Sequence, residues 1–159
     1  MAVATLALGG NLGDRHAMLD RAVDALSRLP ARIIAQSGRH ETPALLPPGA
    51  PDDWNIAYLN AVVQVETHLS PGTLLARIKG IEAALGRRPG PRWSPRVIDI
   101  DILAMDDRVV TTDRLTVPHP EIANRGFVLI PWAEIDPNWR HPLTGRSVAQ
   151  MLEALRADA

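Results

Sequence analysis

Cysteine is missing altogether from this chain of 159 residues. Disulfide frameworks, thiolate metal sites and thiol nucleophiles are excluded with it. Lysine is nearly missing too: Lys79 stands alone beside 16 arginines, so cationic chemistry falls to guanidinium groups. Long apolar runs are lacking. The run from Val3 to Leu8 has no basic residue ahead of it and is too short for a signal peptide or a membrane span. A cytoplasmic protein without a membrane partner is therefore expected. A net charge of −1 supplies no positive field for nucleic acid, so no nucleic-acid partner is expected either. There is no G-x-x-x-x-G-K-[ST] phosphate loop and no G-x-S-x-G nucleophile turn. The histidines at 16, 40, 68, 119 and 141 show no metal-ligand spacing.

What is present is globular. Hydrophobic residues make up 46 %, enough for a folded core, and the length suits a single domain over residues 1–159. Apolar runs bounded by turn residues predict strands at 4–8, 32–39, 58–67 and 97–104. Met18, Leu19, Ala22, Val23, Leu26 and Leu29 recur at helical spacing and stop before Pro30. Ser70 and Pro71 read as the cap and first position of a second helix, with Leu74, Leu75, Ile78 and Ile81 on its apolar face and Gly86 at its end. Asp106-Asp107 suggests a turn into a small hairpin, and closing helices are predicted at 126–135 and 147–156. Two stretches resist assignment: 42–55, with four prolines, and 86–95, with Gly, Pro, Trp93 and three arginines. The order of elements predicts an α+β sandwich, with helices packed on a mainly antiparallel sheet.

Chemistry concentrates at Val97-Ile98-Asp99-Ile100-Asp101-Ile102. In a strand the isoleucines share one face and the two aspartates the other, with their Cα atoms about 7 Å apart. Two readings stay open: a solvated strand face, or a carboxylate pair that holds a hard cation. Oxygen ligands alone favour Mg²⁺, which takes one or two carboxylates plus substrate phosphates. Arg87, Arg88, Arg92 and Arg96 precede the pair, and guanidinium forks match phosphate oxygens. Together these residues suit a magnesium–polyphosphate site. A flat heterocycle would need one of the few aromatics, Tyr58, Phe127 or a Trp, to stack on. Trp54 and Trp93 lie in the two irregular stretches, where loops that close over a site could carry them. His119, between Pro118 and Pro120, reads by itself as a structural loop histidine.

The residues resemble a known family. The run from Arg92 to Ile102 is similar to the signature of 6-hydroxymethyl-7,8-dihydropterin pyrophosphokinases of folate biosynthesis. Four further blocks are similar in the same order: Ala7 to Asp14, Glu41-Thr42-Pro43 with Tyr58-Leu59-Asn60-Ala61, Leu115 to Pro120, and Asn124 to Leu129. The resemblance implies a ferredoxin-like α+β fold with mobile loops and a transfer of pyrophosphate from ATP, as co-substrate, to the pterin's hydroxymethyl group, leaving AMP. It implies two Mg²⁺ ions on Asp99 and Asp101, with Arg87 and Arg96 also catalytic. ATP would meet Glu82, Arg87, Trp93, Arg96, Ile102, Arg114, Thr116, His119 and Arg125. The pterin would meet Thr42, Pro43, Leu45, Tyr58, Asn60 and Phe127. Lys79 falls where a polar ATP contact is expected. A monomer acting on small molecules is implied.

Two other readings compete. A two-metal phosphodiesterase or nucleotidyltransferase acting on nucleic acid would want a basic stripe, which is lacking. A non-catalytic binding module would turn the carboxylates and arginines into surface ion pairs of little energetic weight.

Overall fold

Alternation along the strands sets the architecture of this computed structural model, which describes residues 1–91 and 94–158; Arg92 and Trp93 lie outside the described residues. Strand β1 (Ala2–Gly10) runs between β4 (Tyr58–Thr67) and β5 (Asp99–Met105) and is antiparallel to both. Strands β2 (Ala31–Gln36) and β3 (His40–Thr42) both pair antiparallel with the far side of β4. The result is one five-stranded antiparallel sheet in the order β2-β4-β1-β5, with β3 continuing the outer edge. Strands β6 (Val110–Thr111) and β7 (Thr116–Val117) form a separate ribbon.

Period-two side chains load both faces of the sheet. On one face Leu6, Leu8, Val63, Val65, Ile98 and Ile100 pack against Leu19 and Leu26 of α1 (Arg15–Ser27) and Leu74 and Ile78 of α2 (Pro71–Ala84). On the other, Val62 and Leu103 pack against Leu129 and Trp132 of α3 (Gly126–Ile135) and Met151 of α4 (Val148–Ala157). The expected α+β sandwich is therefore present, with helices on both faces of the sheet. Helix starts follow local chemistry. Asp14 Oδ1 accepts from the Ala17 amide at 3.0 Å, Ser70 accepts from Thr73 with Pro71 behind it, and Ser147 closes a reciprocal capping box with Gln150. Gly86, at φ +99°, ends the second helix in a conformation that a side chain would oppose.

Two expectations need correction. The strand expected at 32–39 ends at Gln36, and a separate strand, β3, starts at His40. The Ser37 hydroxyl takes the Val62 amide at 2.9 Å in place of a ladder carbonyl, and Gly38 follows, so the edge breaks there. The turn at Asp106-Asp107 forms, but Val110–Thr111 pairs with Thr116–Val117 and not with the preceding strand.

One lateral row positions everything that follows. His40 on β3 stands opposite Asn60 on β4, Asn60 opposite Gly9 on β1, and Gly9 opposite Asp99 on β5. One step along, Ala7 stands opposite Asp101. All these positions lie on the face of the sheet that α3 covers.

Candidate active site

Strand geometry puts the two aspartates side by side, as the alternation predicts: Ile98, Ile100 and Ile102 are buried in the first core, while Asp99 and Asp101 line a cavity of about 350 Å³. The small side chains of Ala7 and Gly9 leave room above the sheet, and both line the same cavity. Arg87 Nη1 lies 3.3 Å from one Asp99 oxygen and Arg96 Nη1 lies 3.5 Å from the other. Among the described residues Lys79 and Arg125 complete the basic lining, so four cations face two carboxylates around the cavity. Such a surplus suits a multiply charged anion.

Burial, and next the charge of Asp99, push the Asp101 carboxyl up to about 6 from an ordinary 3.8. A carboxylate pair that resists double ionisation is one that a cation relieves. Two carboxylates with no third acidic or histidine ligand among the described residues suit Mg²⁺ completed by substrate phosphates, and do not suit an all-protein metal cage.

His119 is fixed at both ends. Its amide donates to the Leu103 carbonyl at 2.9 Å, which docks the loop on β5. The Glu121 amide donates to its Nδ1 at 3.1 Å. Nδ1 is thus an acceptor, and the neutral ring carries its hydrogen on Nε2. Burial, then Arg125, lowers its pKa and favours that neutral form.

The opposite wall belongs to β3, β4 and the stretch after β3. Thr42, Pro43, Leu45, Tyr58 and Asn60 line it, and Phe127 from the first turn of α3 closes it. Asn60 Nδ2 donates to Thr42 Oγ1 at 2.7 Å and to the His40 carbonyl at 3.3 Å. Its Oδ1 is left over Gly9, facing the cavity. The Tyr58 hydroxyl is kept protonated by burial and next by Asp99. The Arg125 guanidinium carbon sits 5.6 Å from the centroid of the Phe127 ring.

Of the residues singled out from sequence, the structure gathers Arg87, Arg96, Asp99, Asp101, His119, Arg125 and the whole pterin set around this one cavity. Glu82, Arg88, Ile102, Arg114 and Thr116 do not line it. Glu82 lies beneath the floor, its side chain 2 % exposed. There it accepts from the Ile100 amide at 2.8 Å and Arg87 Nη1 at 2.7 Å, with Lys79 Nζ 3.1 Å from its other oxygen. The Ile102 side chain points into the first core, away from the aspartates. Arg114 and Thr116 are exposed on and beside the β6–β7 ribbon. Trp54 sits in a short 3-10 turn and does not line the cavity; Trp93 lies outside the described residues.

Sequence reading placed Ala7 and Gly9 in a resembling block but gave them no role at the site; their signal was small size on one strand face. It gave no role to Asn11 of the same block either. Asn11 is 2 % exposed; its side chain takes the Arg96 amide at 2.9 Å and gives to the Ile56 carbonyl at 3.0 Å. It thereby ties both irregular loops to the end of β1.

The chain also matches known proteins over most of its length. The profile described as 7,8-dihydro-6-hydroxymethylpterin-pyrophosphokinase matches residues 5–137. A Methylorubrum extorquens protein named 2-amino-4-hydroxy-6-hydroxymethyldihydropteridine pyrophosphokinase is 47 % identical over 140 residues, 87 % of this chain and 85 % of that protein. A Chlamydia trachomatis protein named folate synthesis bifunctional protein is 42 % identical over 144 residues, 89 % of this chain but 32 % of its own length. Among solved structures, a Plasmodium falciparum HPPK-DHPS triple mutant superposes with a TM-score of 0.74 at 16 % identity, over 99 % of this chain and 42 % of that one, which shows the shared fold.

Proposed function

The chain belongs to the 7,8-dihydro-6-hydroxymethylpterin-pyrophosphokinase family, and from that membership we propose how its own residues divide the work. The reaction moves pyrophosphate from ATP to the hydroxymethyl group of 6-hydroxymethyl-7,8-dihydropterin, a step of folate biosynthesis, and releases AMP. The hydroxymethyl oxygen forms a bond to the β-phosphorus. The bond from that phosphorus to the αβ-bridging oxygen breaks, AMP leaves with that oxygen, and the hydroxyl proton is released. Catalysis of such a step is positioning plus charge neutralisation.

The observation that carries the assignment is the shared cavity, with a carboxylate pair and four cations at one end and an apolar and amide wall at the other. Asp99 and Asp101 are proposed to hold two Mg²⁺ ions, which when bound would neutralise phosphate oxygens and sharpen the attacking hydroxyl. Arg87 and Arg96 now lean on Asp99; Arg96 turns to phosphate once a cation takes its place, while Arg87 stays anchored on Glu82 beside the same carboxylate. They then absorb the charge that builds on the departing AMP. His119 offers Nε2–H to a phosphate oxygen without adding a second full charge beside Arg125. Lys79 and Arg125 provide further phosphate contacts from the two sides. Arg114, Thr116 and Ile102 are kept as nucleotide contacts outside this cavity, Trp93, which lies outside the described residues, as a further nucleotide contact, and Glu82 as a contact that acts chiefly by holding Arg87.

On the other wall, Phe127 stacks on the pterin ring and Tyr58 and Leu45 close around it. Asn60 Oδ1 accepts a ring N–H. Thr42 and Pro43 fix the rim. We place the enzyme in the cytoplasm as a monomer acting on small molecules; no helix among the described residues is long and apolar enough to cross a membrane.

The test is direct. Incubate the protein with ATP, Mg²⁺ and the hydroxymethyl pterin and resolve the nucleotides. AMP that appears only with pterin present is the expected result. ADP, or no turnover, overturns the assignment.

A further inference from the structure

The lateral row of the sheet does not stop at Asn60. Its outermost member, His40, donates from Nε2 to Glu134 Oε2 at 2.9 Å, and the Gly38 amide donates to Glu134 Oε1 at 2.9 Å. A carboxylate has only acceptors, so the His40 hydrogen must sit on Nε2. Glu134 belongs to the last turn of α3, the helix whose first turn supplies Phe127. The same helix therefore carries one wall of the cavity at its start and grips the strand that carries the other wall at its end.

The grip bears on Asn60 specifically. β3 is three residues long and lies at the sheet edge, paired only with β4. A strand so short is held weakly by its ladder. The His40 carbonyl and the Thr42 hydroxyl are the two acceptors that fix Asn60 Nδ2. If β3 shifts, the amide of Asn60 loses both acceptors and the reason to present Oδ1 to the cavity. Sequence distance hides the link, since Glu134 lies 94 residues from His40.

We propose that Glu134, acting through His40 and the Gly38 amide, is a positioning residue for the pterin. It sets the spacing between the Phe127 wall and the β3 wall and the amide orientation of Asn60. It touches neither substrate. The inference rests on the assignment of this cavity to pterin and ATP. It goes beyond that assignment by giving a role to two residues outside the cavity lining.

The experiment is steady-state turnover, read as pterin-dependent AMP with each substrate varied in turn, on wild type, Glu134→Ala, Glu134→Gln and His40→Ala. Loss of a charged hydrogen bond that orders a binding group is expected to raise the pterin KM about fivefold to tenfold in Glu134→Ala and His40→Ala. The ATP KM and kcat should stay within about twofold, because the Asp99 end of the row is held independently by β1 and Glu82. Glu134→Gln keeps one acceptor and should recover most of the loss. A pterin KM unchanged in both alanine variants, or pterin and ATP KM rising together, overturns the proposal. If Glu134→Ala does not fold, His40→Ala and Glu134→Gln decide it by the same split. Absence of pterin-dependent AMP in wild type is a different result, and it sinks the assignment of the cavity itself.

Discussion

Arg87 is suspended from Glu82 by a 2.7 Å hydrogen bond, and the same carboxylate oxygen accepts from the Ile100 amide at 2.8 Å. A side chain at the root of the irregular loop is thereby tied to the strand that carries both aspartates. Glu82 is buried and its remaining oxygen faces only Lys79. Removing it leaves the Ile100 amide without its acceptor and Arg87 with Asp99 as its remaining carboxylate. Glu82→Ala should cost about 3 kcal/mol of stability in urea unfolding, with turnover falling in parallel, while Glu82→Gln should keep the Ile100 contact and lose less. A Glu82→Ala protein as stable as wild type would show that the tie is weak.

Asp101 gives a pH-dependent prediction. Its carboxyl is raised to about 6 in the folded chain against 3.8 ordinarily. A raised pKa means that the folded state holds the proton more tightly than the unfolded one. The stability it contributes is fully present below about pH 3.8 and is lost as pH rises through about 6. In metal-free buffer at pH 7.5, Asp101→Asn should therefore melt higher than wild type by roughly 4 °C, with the gap closing by pH 4. The same variant should lose about 100-fold in kcat, as a site that depends on bound Mg²⁺ requires. Equal melting temperatures at both pH values would contradict the strain at this pair.

Arg87→Ala and Arg96→Ala separate catalysis from surface pairing. Their contacts with Asp99, at 3.3 and 3.5 Å and partly exposed, are too loose to hold the fold. Arg96→Ala should lower kcat/KM about 100-fold and leave thermal stability within a few degrees. Arg87→Ala should show the same catalytic loss with an added stability cost, since it also removes the guanidinium from buried Glu82 and leaves it the Ile100 amide and the half-exposed Lys79. A stability loss with intact turnover would instead assign both arginines to structure.

The neighbouring glycines should fail in different ways. A Cβ on Gly9 would come within 2.9 Å of Asn60 Oδ1, the far end of a side chain, so the amide is pushed and the sheet survives. Gly9→Ala should raise the pterin KM about tenfold and fold normally. A Cβ on Gly10 would meet the Val97 backbone carbonyl oxygen at 2.3 Å. Nothing there can yield cheaply, so Gly10→Ala should show its main loss in stability. Melting curves and pterin titrations of the two variants side by side check the contrast.

Local pattern was enough for much of this. The period of two in Val97 to Ile102 placed the isoleucines inward and the aspartates together. Ser70-Pro71 marked a helix start, and Gly126–Ile135 came out with the bounds read from the residues. These features depend on neighbours a few positions away, and short-range sterics and hydrogen bonding settle them. Ordered sequence blocks also named the chemistry, because five short motifs in series are hard to match by accident.

Tertiary structure decided the rest. Glu82 and Ile102 sit beneath the cavity and in the core, not in its lining, because α2 and β5 meet on the far face of the sheet. The break at Ser37, the Asn60 amide over Gly9 and the Glu134 grip on His40 all join segments 25 to 94 residues apart. Strand register and the seating of α3 fix those meetings, and both are sums over many long-range contacts that no local window of residues contains.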